Sequence, residues 1–227
     1  MVCTYQLYLL NRHLFIDLPE GRTLVDTGAP FSSSTTGRLT WQNQNHGVNK
    51  GGYFGFTFDQ LSAEIGVQVD ALLGMDHLAQ TTLLFDVTHR TLTAGDEMPA
   101  GFVARPYELA PMSDIPLFTV TLNGQPARVL WDTGAQYGYV LRREFAECGE
   151  DDGAIEDYNP IMGKIHSPAW RVPVDMHGVQ FQERVGVLTG MFAGMLGMVG
   201  VDAIVGCSWM PSRRVWFMPE QASFAVA

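Results

Sequence analysis

The chain repeats itself, and that repeat limits its fold more than any other feature. Leu24-Val25-Asp26-Thr27-Gly28-Ala29 recurs as Leu130-Trp131-Asp132-Thr133-Gly134-Ala135. Further on, Val69-Asp70-Ala71-Leu72-Leu73-Gly74 recurs as Val201-Asp202-Ala203-Ile204-Val205-Gly206. The downstream spacing is kept as well, with eleven residues from Gly74 to Phe85 and eleven from Gly206 to Phe217. Between the motifs the copies differ. Asp26 to Gly74 is 48 residues and Asp132 to Gly206 is 74, so the second copy carries 26 more. A chain of 227 residues holding two copies of one unit is expected to form two small lobes. The division is expected between residues 1–104 and 105–227. Residues 95–101, followed by Pro106 and Pro111, read as the connector.

Within each copy the short-range pattern is β. Residues 14–18, the turn Pro19-Glu20-Gly21 and residues 23–25 predict a hairpin whose second strand runs into Asp26. In the second copy residues 118–122 alternate apolar and polar, and Asn123-Gly124 is a strong hairpin-turn signal. Residues 129–131 then lead into Asp132. Helical turns with a glycine stop are expected at 61–66 and 192–197, with Met191, Met195 and Met198 as core filler. Asp76 and Ser208, each two residues past its glycine, are expected to cap short helices. Asp70 and Asp202 read as turn-forming carboxylates. The longer segment of the second copy predicts strands at 155–162 and 169–176 around a turn at 163–168, then a turn at His177-Gly178.

Composition removes several classes of function. Fourteen Lys and Arg against 24 Asp and Glu give a net charge of −10, and without a basic stripe no nucleic-acid partner is expected. Three cysteines are too few and too scattered for a disulfide framework, and the six histidines show no HxxxH spacing. No cofactor and no metal are therefore expected, and a metal hydrolase built on Asp and His lacks the ligand spacing it would need. The uncharged stretch 185–201 has seventeen residues, short of the roughly 20 that span a bilayer. Its glycines leave a GxxxG helix pair open, but the repeat explains the stretch better, and no membrane partner is expected. Gln6, Asn11, Arg12, His13 and Asp17 interrupt the apolar run that a signal peptide needs. A cytoplasmic location without a removable N-terminal segment is expected. The run 144–157 carries seven carboxylates. A solvated helix end and loop is the plain reading, and selection of basic peptides the sharper one.

An apolar-apolar-Asp-Thr-Gly-Ala loop followed by an apolar-apolar-Gly strand, present twice, resembles the aspartic proteases. The alanine after each DTG is similar to the retropepsin branch, whose members usually pair two identical chains. Here one chain carries both halves, as pepsin-like members do, although it is shorter than a typical pepsin. The resemblance implies an all-β, bilobal pepsin/retropepsin-like fold: two pseudo-twofold-related β-barrel lobes with short helices. It implies a monomer acting on a peptide or protein substrate as an aspartic endopeptidase, with Asp26 and Asp132 as the catalytic pair. In this reading the two carboxyls share one proton and activate a water. Gly28 and Gly134 let backbone N–H groups approach the carboxylates, and Thr27 and Thr133 tie the loops together. Ala29 and Ala135 withhold the hydroxyl that many pepsin-like members place there, which predicts a working pH nearer neutrality. The second copy is expected to supply the main flap. Trp41, Tyr53 and Tyr158 are candidates for the cleft wall. Two alternatives stand beside this reading: a catalytically silent peptide-binding module of the same fold, and DTG segments that are plain turns.

Overall fold

The computed structural model describes residues 2–95, 98, 102–111 and 113–227. Alternation of apolar and polar residues sets the strands. Pro116–Leu122 buries every second side chain after its apolar start, and Asn123 (φ 49°) with Gly124 (φ 78°) turns it back into Gln125–Trp131. Among the described residues the strands form an eleven-stranded sheet, an eight-stranded sheet and the hairpin of Arg38–Trp41 with Gln44–Gly47.

The repeated motifs build one unit twice. Gly21–Val25 pairs parallel with Ala71–Leu73, as Gln125–Trp131 does with Ala203–Val205. Ser33–Ser34 and Gly138–Val140 lie antiparallel on the far side of those central strands. Each takes a further parallel partner, Asn49–Lys50 in the first half and Val179–Val187 in the second. The registers correspond, with Leu24 opposite Leu72 and Leu130 opposite Ile204. Asp70 and Asp202 hold matching places: the N–H groups of Arg22 and Arg128 donate to them, each at 2.9 Å.

The two halves share a sheet. Arg214–Met218 pairs antiparallel with Leu83–Asp86, and Ser223–Val226 follows it into the same sheet. Hydrogen bonds therefore cross the division expected at 104/105. The core crosses it too: Trp131 packs on Phe85 and Phe217, with ring centroids 5.7 and 5.4 Å apart. Buried aromatics of this kind contribute on the order of 1.5–3 kcal/mol each.

Five local expectations are corrected. The second-copy hairpin turns at 160–162, and Gly163–Met176 is one unbroken strand, not a turn followed by a strand. Met191, Met195 and Met198 are 81%, 51% and 82% exposed, because helix Gly190–Met198 turns Phe192, Ala193 and Leu196 to the second-half core instead, and Met195 lines the cleft described below. That helix also runs past Gly197, whereas Phe58–Ile65 does stop at Gly66 (φ 73°). Asp76 does not cap helix Met75–Leu78, whose N-cap is Gly74. Its carboxylate instead accepts from Ser32 N–H at 2.9 Å and Ser32 Oγ at 2.6 Å. The acidic run, expected as loop after its helix end, continues as strand Glu150–Asn159. Of the expected connector, residues 96, 97 and 99–101 lie outside the described residues. No helix of the described residues is long and apolar enough to cross a membrane.

Candidate active site

Each DTG loop leaves the end of a central strand. Asp26 N–H donates to Leu73 O at 3.0 Å, and Asp132 N–H to Val205 O at 2.9 Å. The strand below comes so close that a Cβ on Gly74 would stand 2.8 Å from Ala29 O, and one on Gly206 2.6 Å from Ala135 O. Only glycine fits there.

The loops grip one another reciprocally. Thr27 N–H donates to Thr133 Oγ1, and Thr133 N–H to Thr27 Oγ1, each at 3.0 Å. The hydroxyls pass their own protons across, Thr27 to Trp131 O and Thr133 to Val25 O, each at 2.7 Å. Both threonines are fully buried, so every donor and acceptor of this knot is satisfied inside the protein. Its symmetry brings Asp26 and Asp132 together, close enough for each to shift the other's pKa. Gly28 N–H donates to Asp26 Oδ1 at 2.8 Å and Gly134 N–H to Asp132 Oδ1 at 2.9 Å. A Cβ on Gly28 would overlap the carboxylate of Asp132, and one on Gly134 that of Asp26. Each glycine thus makes room for the carboxylate of the opposite loop.

Burial raises the pKa of both carboxyls. Asp26 is lifted further, because the charge of Asp132 adds to its burial, while Asp26 restrains the rise at Asp132. The two titrate as a pair.

The pair lies in a cleft of about 380 Å³. Leu24 and Leu72 from one half and their counterparts Leu130 and Ile204 from the other line it. Tyr53 and Phe54 close it on the first-half side; Tyr158 and Ile161, at the hairpin tip, close it on the second. The charges of Asp26 and Asp132 add to burial in raising the Tyr53 hydroxyl's pKa, which puts that residue near the pair. Tyr158 meets Phe56 of the first half edge to face, centroids 5.1 Å apart. The hairpin Glu150–Asn159/Gly163–Met176, which brings Tyr158, Asn159 and Ile165 to the cleft, belongs to the second copy.

Trp41 is not a cleft residue. It is 1% exposed and stacks on Tyr5 at 4.9 Å, because its strand turns that side chain into the core. Sequence reasoning passed over His13, Glu64 and Asp157, which do line the cleft. Asp157 accepts from Tyr139 Oη at 2.6 Å and Tyr158 N–H at 2.8 Å. Burial pulls the His13 pKa down, so its ring is neutral near pH 7. Among the described residues lining the cleft there is no lysine or arginine. Nor do the described residues hold a cluster of three or more His, Cys, Asp or Glu suited to a metal ion.

A further carboxyl was not anticipated. Glu183 is 1% exposed; the Ser208 hydroxyl and Gly138 N–H donate to it, and burial pushes its pKa up to about 7. By the repeat, Gly138 and Ser208 correspond to Ser32 and Asp76. Each half therefore buckles the same two segments with a carboxylate, supplied by Asp76 in the first half and by Glu183 in the second.

The crystal structure of the aspartic proteinase from Irpex lacteus superposes over 100% of this chain and 97% of that one, with a TM-score of 0.53 and 12% identity. The chain has an aspartic proteinase fold. At that identity the likeness is one of fold alone. The solution structure of the Simian Foamy Virus (mac) protease matches 42% of this chain and 91% of its own at 14% identity, with a TM-score of 0.30. No family profile matches the sequence. No curated protein matches it.

Proposed function

We propose that the protein is an aspartic endopeptidase that hydrolyses peptide bonds with water activated between Asp26 and Asp132. One observation carries this reading: two carboxyls from matching loops meet in one cleft, each set against the glycine of the opposite loop. Two acids this close hold one proton between them, since ionising both would set two negative charges side by side. Asp26, the more strongly raised of the two, keeps that proton and donates it to the scissile carbonyl oxygen. Asp132, ionised, takes a proton from water as the oxygen attacks the carbonyl carbon. The resulting tetrahedral diol collapses as a proton passes to the leaving nitrogen. The carboxyls end with one proton, as they began. Gly28 and Gly134 N–H groups hold one oxygen of each carboxylate throughout, and the Thr27–Thr133 knot holds the loops. Both acids come from one chain, so a monomer suffices. Tyr53 and Tyr158 would contact an extended peptide and exclude solvent.

Cleavage of a peptide library by the wild type beside Asp26→Asn and Asp132→Asn tests the mechanism. Each substitution is expected to cut kcat about 10²–10⁴-fold, with chelators without effect. Cleavage that survives both substitutions sinks the proposal. Wild-type binding of peptides without any cleavage assigns the silent binding module instead. Because Ala29 and Ala135 offer no hydroxyl to the ionised carboxylate, the kcat/KM profile is expected to peak nearer neutrality. A maximum at about pH 2–3 contradicts that part.

A further inference from the structure

A second cavity, of about 310 Å³, opens beside the tip of the first hairpin, and neither Asp26 nor Asp132 lines it. Arg12, Arg171 and Arg184 are among its lining residues, with Gln182, Leu9 and Pro211. In a chain of net charge −10 with only 14 basic residues, three guanidinium groups in one cavity are an unusual concentration.

Their own neighbours neutralise them only in part. Arg171 and Arg184 stand directly opposite each other on adjacent antiparallel strands, a like-charge pairing that is unfavourable by itself. One carboxylate serves both: Asp152 Oδ2 is 3.1 Å from Arg171 Nη2 and 3.2 Å from Arg184 Nε. Arg12 pairs with no carboxylate among the described residues. Its guanidinium lies over the ring of Tyr137 at 5.0 Å, and that of Arg184 over the same ring at 5.2 Å. The nearby Glu183 is turned inward onto Ser208 and Gly138. Three cations thus have one ion-paired carboxylate; Arg184 Nη2 also donates to Asp152 O and Ala154 O at 3.0 and 2.8 Å, and Glu183 is near enough to Arg12 for that charge to lower its pKa.

The backbone adds to this. Asn11 (φ 46°) and Arg12 (φ 66°) are the central residues of the turn between Cys3–Leu10 and His13–Leu18. Asn-Gly is the favoured pair for such a turn, because both residues are left-handed. An arginine occupies the place where glycine costs least, and it extends from the first half over Tyr137 of the second.

We propose that this cavity is an anion site, which takes a phosphate or carboxylate group between Arg12 and Arg171 while an attached apolar body rests on Leu9 and Pro211. Planar guanidinium forks suit the paired oxygens of either group. The Gln182 amide offers a neutral donor. The site is distinct from the proposed proteolytic centre and is expected to be occupied equally in the Asp26→Asn protein.

Calorimetric titration of the full chain at fixed ionic strength tests it, with inorganic phosphate and acetate as separate probes. At least one is expected to bind saturably at a single site. Arg12→Gln combined with Arg171→Gln is expected to weaken that binding about tenfold or more, with the melting curve retained. Phosphate alone assigns a tetrahedral dianion, acetate alone a carboxylate, and either supports the site. No saturable binding of either up to about 10 mM overturns the proposal, as does equal binding by variant and wild type. If the double variant does not fold, Arg12→Gln decides alone, since that residue is exposed on a turn.

Discussion

At the scale of residues, the site consists of groups that make room for or restrain one another. Gly28 lacks the Cβ that would overlap Asp132, and Gly134 the one that would overlap Asp26. Glu183 gives the sharpest test at this scale. Its folded pKa of about 7 stands above the ordinary glutamate value, so the native state holds a proton that the unfolded chain has lost. Its stabilising contribution is complete below about pH 4.5 and is lost as pH rises through about 7, a span worth on the order of 3 kcal/mol. Wild-type Tm is expected to fall across that window, and Glu183→Gln, which keeps the bonds to Gly138 and Ser208, is expected to flatten the fall. An unchanged slope would show that Glu183 is not the titrating group. The loops that carry Asp26 and Asp132 stand out in the sequence because a rare local motif recurs at matched spacing. Glu183 does not, because nothing in Val179–Val187 marks it. Its burial depends on Gly138 and Ser208, which only the fold brings near. Trp41 was misassigned for a related reason: residue type does not say which face of a short strand turns inward.

Elements position the cleft wall. The hairpin Glu150–Asn159/Gly163–Met176 reaches across to the first half through Tyr158 and Phe56. Removing residues 160–162 and closing the turn with Asn-Gly is expected to raise KM several-fold while leaving the acid limb of the kcat/KM profile in place. That limb reports the pair in the free enzyme. A loss of the limb itself would mean that the tip shapes the carboxyl pair directly. The existence of this hairpin was readable from the extra length of the second copy; its turn was not. Gly163 and Pro168 look like turn residues, yet Pro168 lies past the point where pairing with Val179–Val187 ends at Trp170. It also pairs with Ala154 beside the register shift. A proline is tolerated at such an irregularity. Helix Gly190–Met198 misled in the opposite sense. It is apolar all round, so periodicity does not indicate an inner face, and its methionines ended up outside.

For the whole molecule, duplication made two related halves readable, but not how they are joined. The pairing of Leu84 with Trp216 joins residues 132 positions apart, and no local signal announces it. Because the sheet and the core both cross the division, the halves are expected to unfold together. Heating followed by near-UV and far-UV dichroism should give coincident transitions, and a chain ending at residue 213 should melt at markedly lower temperature. Two separated transitions would refute a shared core. The same pairing orders events at the ribosome. Leu83–Asp86 emerges early with one edge unpaired, and its partner strand is translated more than a hundred residues later. Such an edge invites pairing with neighbouring chains until it is covered. A nascent chain therefore carries that hazard through most of its synthesis and is freed of it only by its last strands.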